Sequence, residues 1–145
     1  MSMQQLSVFL ENKPGALGEF AKDLSRYHIN MRALSIAESR DFGIIRVIVD
    51  DPYEATRILR ENGYIVQPTP VVGAEVSDEP GALLHILETL SEQNSNVDYT
   101  YAFVSQKKNT AYMILRTNDI PGTEKVLGKS GVTLIGQDEI VDDED

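Results

Sequence analysis

The sequence predicts an α+β protein built from two copies of a strand–helix–strand–strand–helix–strand unit. The motif Asn12–Leu17 (NKPGAL) returns 66 residues later as Asp78–Leu83 (DEPGAL), and apolar residues follow both motifs at helical spacing. Asn30 maps onto Asn96 at the same offset, and later matches continue at an offset of 68. An internal repeat is identified before the fold is interpreted, because each copy is one structural unit.

The first copy, assigned to residues 1–69, opens with apolar and polar residues that alternate along Gln5–Leu10. This alternation is typical of a strand that is buried on one face. Pro14-Gly15 interrupts the strand. Asp51-Pro52 begins the second helix, because aspartate is a favoured N-cap and proline fits the first turn, and Gly63 is expected to end it. The predicted elements are strand Gln5–Leu10, helix Ala16–Tyr27, strands Ile29–Glu38 and Gly43–Val49, a helix between Asp51 and Gly63, and strand Tyr64–Gln67.

The second copy, assigned to residues 70–140, follows the same order. The segment Pro68-Thr69-Pro70 between the copies is too short for a flexible linker, so we expect the copies to lie side by side. Residues 141–145 are assigned to an acidic tail. The predicted elements are strand Val71–Val76, helix Ala82–Gln93, strands Val97–Val104 and Thr110–Arg116, helix Ile120–Ser130, and strand Val132–Ile140.

This order of elements is that of the ferredoxin-like βαββαβ fold, in which two helices cover one face of a four-stranded antiparallel sheet. The second and fourth strands of this topology lie at the edges, and exposed edges favour pairing. We therefore expect the two sheets to join edge to edge into an eight-stranded sheet with four helices on one face. Each copy alone is near the size at which a hydrophobic core gives only marginal stability, which also favours packing of the copies.

Composition and charge exclude several classes of function. The absence of cysteine excludes disulfides, thiolate metal sites and thiol catalysis. No apolar run is long enough for a membrane span and no signal peptide opens the chain, so we expect no membrane partner and a cytoplasmic location. No clustered basic face is visible, which argues against a nucleic-acid partner.

The acidic charge is concentrated at the end of the chain. The formal net charge is −10, and six acidic residues among the last eight account for most of it, leaving −4 without them. We expect a solvated, frayed terminus there. A docking tail or a weak Ca²⁺ or Mg²⁺ site remains an alternative.

An aromatic row marks the second predicted strand of the second copy. Val97, Tyr99, Tyr101 and Phe103 lie at alternate positions of a predicted strand and should share one face. Such a row can form the floor of a ligand pocket. We favour packing in a core or in a contact between sheets.

The repeated motif lies between the first strand and the first helix of each copy, where the helix offers unpaired N–H groups and the positive end of its dipole. This position suits a carboxylate. Gly15 lets a ligand approach the backbone, Pro14 stiffens the loop, and the Asn12 amide can both donate and accept hydrogen bonds. The alternative is purely structural, with Pro-Gly starting a helix that Asn12 caps.

Catalytic interpretations have little support. His28 and His85 are the two histidines of the chain, and neither lies in a metal or nucleophile motif, so both are predicted to be structural. No glycine-rich nucleotide loop, pair of catalytic carboxylates or metal-ligand cluster is visible. We therefore predict no catalytic residue, no metal, no cofactor and no enzymatic activity.

The segments Val8–Leu17 and Ile29-Asn30-Met31, together with their counterparts in the second copy, resemble those of ACT domains. The similarity covers nearly the whole chain apart from the acidic tail. The resemblance implies a regulatory module that binds amino acids or related small ligands between paired copies and controls an attached or associated metabolic enzyme. Pairing in several members runs through the second strands, so we expect a homodimer.

The resemblance also implies two ligand sites, each between one loop and the other copy. Asp78 and Glu79 distinguish the second site, because ionised carboxylates cannot donate hydrogen bonds and repel an anionic group. We therefore favour the first. Its residues would be Asn12, Lys13, Pro14, Gly15, Ala16, Leu17, Asn96 and Val97. Those of the second would be Asp78, Glu79, Pro80, Gly81, Ala82, Leu83, Asn30 and Met31.

The function expected from these observations is a free-standing amino-acid sensor, or regulatory subunit for amino-acid metabolism, without its own catalytic domain. Its expected partners are an amino acid, a metabolic enzyme and a second copy of the chain. One alternative is a non-sensing interaction subunit of a metabolic enzyme, whose edge strands and tail simply dock. Another is an enzyme of unfamiliar type.

Overall fold

The structure is a computed structural model, which describes residues 3–105 and 107–140 except for the side chain of Val104. Their contacts divide them into two compact units, residues 4–69 (the first repeat) and residues 70–140 together with Met3 (the second repeat). The acidic tail predicted at residues 141–145 lies outside the described residues. The elements are β1 Met3–Glu11, α1 Ala16–Arg26, β2 Met31–Glu38, β3 Phe42–Val49, α2 Pro52–Glu61, β4 Ile65–Ser77, α3 Ala82–Glu92, β5 Val97–Val104, β6 Thr110–Thr117, α4 Ile120–Lys129, β7 Thr133–Ile135 and a 3₁₀ helix Gln137–Ile140.

In the first repeat, the strands follow the order β2-β3-β1-β4, and β3 pairs antiparallel with both β1 and β2. Alternate residues of β1 and β3 meet residues from both helices in one core, so α1 and α2 cover the same face of the sheet. This is the predicted ferredoxin-like arrangement. The core residues are Leu6, Val8, Phe20, Leu24, Ile45, Val47, Val49, Ala55, Leu59 and Val66.

Local sequence signals set the ends of α2. The Asp51 side chain accepts a hydrogen bond from the Glu54 N–H at 3.2 Å, with proline in the first turn. Gly63 follows the helix with φ +87°, a left-handed conformation in which glycine is preferred. The predicted N-cap is confirmed, whereas the C-cap residue is Asn62 and Gly63 is the residue after it. The N-cap recurs in the second repeat, where the Asp119 side chain accepts a hydrogen bond from the Gly122 N–H at 3.1 Å.

In the second repeat, β6 pairs with β4 and β5, and β7 pairs with β4 through residues 73–75. Its two helices again share a core with one face of the sheet. That core contains Val72, Ala74, Ile86, Leu90, Leu115 and Leu127. No helix within the two described ranges is long and apolar enough to cross a membrane.

The predicted strand count of eight is wrong, since the described residues contain seven. The predicted strands Tyr64–Gln67 and Val71–Val76 form one strand, β4, which runs through Pro68 and Pro70 without a break. Proline only removes a backbone donor and fixes φ at a value that extended chains tolerate, so it does not have to end a strand.

The last predicted strand, Val132–Ile140, is also shorter than expected. It ends at Ile135, and a 3₁₀ helix follows. The turn is closed locally, because the N–H of Glu139 donates to the carbonyl of Gly136 at 3.2 Å and the N–H of Gly136 donates to Glu139 Oε1 at 3.3 Å.

The predicted aromatic row is divided by a β-bulge. The register of β5 against β6 shifts between Val97 and Tyr99. Val97 packs against the core under the helices, whereas Tyr99, Tyr101 and Phe103 lie on the opposite face. The rings of Tyr99 and Tyr101 stack there with centroids 6.4 Å apart, and Phe103 contacts Tyr112 at 5.1 Å. The prediction that all four residues share one face is therefore wrong.

Candidate functional site

The loop between β1 and α1 is held by hydrogen bonds to the turn between β2 and β3. The Asn12 N–H donates to the carbonyl of Asp41 at 2.9 Å. The Asn12 side-chain amide donates to the carbonyls of Ser39 and Arg40 at 3.3 and 3.4 Å. The N-cap of α1 is Gly15, and no side chain caps this helix. The alternative that Asn12 caps α1 is therefore wrong, and its amide fixes the loop instead.

Glycine is required at the start of α1 for a backbone reason. Gly15 has φ +87°, and a Cβ built on it meets nothing within 4 Å. The left-handed conformation therefore selects glycine, while the space above the loop is open.

Two donors at the start of α1 are available to a ligand. The Ala16 N–H donates to the carbonyl of Lys13 at 3.3 Å, which closes the turn. The N–H groups of Leu17 and Gly18 have no acceptor among the described residues, and both residues are exposed. They point from the positive end of the helix dipole, where an anion is stabilised.

A cleft of about 240 Å³ lies beside this loop. Four of the predicted site residues line it: Asn12, Lys13, Ala16 and Leu17. The rest of its wall comes from β1 and the β2–β3 hairpin, namely Leu10, Glu11, Ile36, Glu38, Gly43 and Ile45. Sequence reasoning missed these six residues. Strand alternation places Ile36 and Glu38 on one face of β2, which was the available signal.

The side chains around the cleft combine apolar and charged groups. The Lys13 Nζ lies 3.1 Å from Glu11 Oε2, and both side chains are largely exposed. Such a surface pair contributes only about 0–1 kcal/mol, so both groups remain free to rearrange around a ligand. Leu10 and Ile45 provide an apolar wall behind them.

The loop between β4 and α3 repeats this backbone geometry. Gly81 has φ +94° and ψ −15°, against +87° and −15° for Gly15. The Asp78 N–H donates to the carbonyl of Asn109 at 2.7 Å. The Asp78 carboxylate forms no hydrogen bond or ion pair with the described residues, since it cannot donate to turn carbonyls as the Asn12 amide does.

The cleft beside the second loop, about 450 Å³ in volume, lies on the side toward β7 and the end of α4. The first-repeat cleft faces its hairpin instead. Glu79, Pro80, Gly81 and Ala82 of the predicted site line the second cleft. Leu83 of the same loop is exposed.

The other predicted site residues lie at the starts of β2 and β5, each held within its own repeat. The Asn30 amide donates to the Asp50 carboxylate at 3.1 Å, and Met31 is exposed. The Asn96 amide donates to a carboxylate on β5 at 2.9 Å, and Val97 is half-buried. Their pairing with the loops of the other repeat stays a prediction.

The two histidines have different surroundings. His28 follows α1 with φ +55°, as Asn94 follows α3 with φ +58°. His85 is exposed in α3 and lines the second cleft. Within residues 3–105 and 107–140, no group of three or more histidine, aspartate and glutamate side chains is arranged to hold a metal ion.

Comparison with known proteins identifies the family to which the sequence is similar. The sequence matches the family model of the ACT domain pair over residues 1–142. No curated protein matches. Among solved structures, protein BT0572 from Bacteroides thetaiotaomicron is similar, with 38% identity, coverage of 97% of this chain and 96% of that chain, and a TM-score of 0.90.

Two more distant structures share the fold. The aspartokinase alpha and beta subunits are 18% identical, with 88% and 91% coverage and a TM-score of 0.56. The ligand-free regulatory subunit of aspartate kinase from Thermus thermophilus is 11% identical, with 87% and 90% coverage and a TM-score of 0.56. Because the family match extends over nearly the entire sequence, the resemblance seen in the repeated motifs is confirmed, and the chain belongs to the family of ACT domain pairs.

Proposed function

We propose that this chain is a regulatory protein that binds an amino acid at the first-repeat loop and passes the signal to an associated metabolic enzyme. One observation carries the proposal. Leu17, whose N–H has no acceptor among the described residues, borders a cleft whose wall also holds carboxylates and apolar side chains, and the free N–H of Gly18 follows it in the first turn of α1. These are the groups that a zwitterion with a side chain needs.

The proposed binding mode follows from the chemistry of the lining groups. The ligand carboxylate accepts hydrogen bonds from the two N–H groups at the start of α1. Its ammonium group lies near the Glu38 carboxylate and the free Oδ1 of Asn12. The predicted contribution of Asn96 and Val97 from the second repeat belongs to this proposal.

Regulation follows if the ligand binds one state of the protein better than another. Ligand binding then shifts the population of states, and a partner that prefers one state responds. The aspartate kinase regulatory subunit of similar fold makes a metabolic enzyme a reasonable class of partner. The proposed assembly includes a second copy of the chain.

Titration calorimetry with each standard amino acid at millimolar concentration tests the proposal. We expect heat of binding with at least one of them. Gly18 is the third residue of α1, and a Cβ there meets nothing within 4 Å. In Gly18→Asp, the new carboxylate folds back onto the free N–H groups, so binding should weaken more than about tenfold, or 1.4 kcal/mol.

Gly18→Asn is the matched control, because it has the same shape without the charge and should retain more affinity. The proposal fails if no amino acid binds, or if Gly18→Asp binds as tightly as the original chain.

A second candidate function, a docking subunit that does not sense amino acids, is favoured by the edge strand β2. Met31, Leu34 and Ile36 are 40%, 43% and 48% exposed along it. Apolar side chains on an unpaired edge are typical of an interaction surface. Capture of an enzyme partner that is unaffected by any amino acid would favour this function over sensing.

A further inference from the structure

The ends of the two helices of the first repeat are joined by side chains. Tyr27 and Asn62 are the C-cap residues of α1 and α2. The Tyr27 hydroxyl donates a hydrogen bond to Asn62 Oδ1 at 2.9 Å. The guanidinium of Arg26 lies 5.7 Å from the centre of the Tyr27 ring. A tyrosine side chain therefore crosses the groove between these helix ends.

The cation on the exposed face of α2 is neutralised within its own helix. Arg57 donates hydrogen bonds to the Glu54 carboxylate and, at 3.0 Å, to Glu61 Oε1. These glutamates lie three residues before and four residues after the arginine, so the three side chains are neighbours on the helix surface. The first repeat therefore leaves no free charge at this arginine.

The second repeat keeps the backbone at the helix ends and changes the side chains. Gln93 and Ser130 are the C-cap residues of α3 and α4, where the first repeat has Tyr27 and Asn62. At Gln93, φ and ψ are −94° and 9°, against −96° and 9° at Tyr27. The side chains of Gln93 and Ser130 form no hydrogen bond with the described residues. The two helix ends are therefore not bridged by these residues as they are in the first repeat.

Two lysines on α4 lack the partners that their counterparts have on α2. Lys125 corresponds to Arg57, but the residues at the two glutamate positions are Gly122 and Lys129. Both lysines are exposed, and neither forms an ion pair or hydrogen bond with the described residues. Side chains four residues apart on a helix are neighbours, so the two ammonium groups can contact the same anion.

A cleft of about 500 Å³ lies between the end of α3 and α4, where these side chains differ. Lys125 and Lys129 line it together with Gln93, Ser95 and Ser130. Their ammonium, amide and hydroxyl groups can all donate hydrogen bonds. This part of the wall therefore suits an anionic group with several acceptor oxygens.

Two carboxylates also line the cleft, and they differ in what they can do. The Asp119 side chain is occupied, because it accepts the hydrogen bond from the Gly122 N–H that caps α4. Glu92 of α3 is exposed and forms no ion pair or hydrogen bond with the described residues. A carboxylate repels an anion but accepts hydrogen bonds from hydroxyl groups, so Glu92 suits an uncharged, hydroxylated part of a ligand.

We propose that this cleft binds a phosphate group, either as inorganic phosphate or as the ester of a small hydroxylated molecule. The phosphate lies between Lys125 and Lys129 and accepts further hydrogen bonds from the two serine hydroxyls. In an ester, a hydroxyl group of the ligand donates to Glu92. The cleft contains no residue of either repeated loop. The site is therefore separate from the proposed amino-acid site and adds a second class of ligand.

Titration of the full chain at constant ionic strength, followed through its backbone amide signals by NMR, tests the ligand chemistry. The probes are glycerol phosphate, inorganic phosphate and glycerol. We expect both phosphates to bind at millimolar concentration, and the amide signals of residues in the cleft to shift. Glycerol phosphate should bind about two- to fivefold more tightly, as one added hydrogen bond allows. Glycerol should not bind.

The outcome for the three probes also separates the two sources of phosphate. Equal affinities for glycerol phosphate and inorganic phosphate would identify inorganic phosphate as the ligand and overturn the role of Glu92. Glycerol binding as tight as that of glycerol phosphate would overturn phosphate recognition. In Glu92→Ala, glycerol phosphate should lose its advantage over inorganic phosphate.

Lys129→Glu tests the role of the lysine pair. It places a carboxylate four residues after Lys125, as Glu61 follows Arg57, so the remaining lysine gains a partner within the helix. Binding of both phosphates should weaken more than about tenfold. Lys22→Glu is the matched control, because it makes the same charge change at an exposed position of α1 and should leave both affinities unchanged.

Gln93→Tyr combined with Ser130→Asn tests the location without changing the charge. The pair recreates the two residues that bridge the helix ends of the first repeat, so it should close the cleft and weaken phosphate binding more than about tenfold. Circular dichroism of this variant and of Lys129→Glu should show the helix content of the original chain.

Three results would overturn the proposal. The first is the absence of phosphate binding at millimolar concentration. The second is unchanged phosphate affinity in Lys129→Glu. The third is a set of amide shifts that lies entirely outside the cleft. Gly18→Asp should leave phosphate binding unchanged, so failure of this site and failure of the amino-acid site are distinguished.

Discussion

Two glycines only three residues apart should respond to the same substitution in opposite ways. Gly15 has φ +87°, whereas Gly18 lies within α1. A Cβ at either position meets nothing within 4 Å, so packing does not distinguish them. Gly15→Ala forces alanine into the left-handed region and should cost ~1–2 kcal/mol of stability. Gly18→Ala removes the entropy of a helical glycine and should add ~0.5–1 kcal/mol.

Urea unfolding of the full chain, followed by far-ultraviolet circular dichroism, measures both effects. The two variants should differ by ~1.5–3 kcal/mol at equal m-values. Gly15→Asn should cost less than Gly15→Ala, because asparagine tolerates positive φ better. Gly81, with φ +94°, should behave as Gly15 does. Stability changes of the same sign at Gly15 and Gly18 would refute the reasoning.

Further predictions concern pH, packing and capping. Burial and Asp23 raise the pKa of Tyr64 in the folded chain. The stability that this shift contributes is complete below the unfolded pKa of about 10 and is lost as the pH rises from there through the folded pKa. In urea titrations above about pH 10, the original chain should therefore lose stability more steeply than Tyr64→Phe. Gly73→Ala should cost ~1–3 kcal/mol, because its Cβ would lie 2.6 Å from a β7 side-chain carbon, whereas Gly43→Ala meets no such contact. Asp51→Ala should lower thermal stability through loss of a cap worth ~0.5–2 kcal/mol.

The parts of the fold with strong local signals could be predicted from the sequence. The helix predicted at Ala82–Gln93 is observed at Ala82–Glu92, because a Pro-Gly turn marks its start and apolar spacing marks its buried face. The wrong predictions concern features that depend on pairing between strands distant in the sequence. Two prolines did not end β4, since partner strands supply its remaining hydrogen bonds, and the bulge in β5 moved Val97 to the other face.

The candidate site was predicted in part. The loop Asn12–Leu17 does border a cleft, because its motif specifies a turn before a helix. The role given to Asn12 as a possible cap was wrong, since its amide finds acceptors in a turn 27 and 28 residues away in the sequence. The walls contributed by the hairpin depend on strand register, which local patterns do not specify.

The uninterrupted course of β4 restricts how the junction can change in evolution. Val66 belongs to one core, and Val72 and Ala74 belong to the other; all three occupy even positions of the same strand. Inserting one residue near Thr69 would turn every later side chain of the strand to the opposite face. Insertions or deletions of two residues would preserve the alternation, so homologous sequences should vary in length here by even numbers.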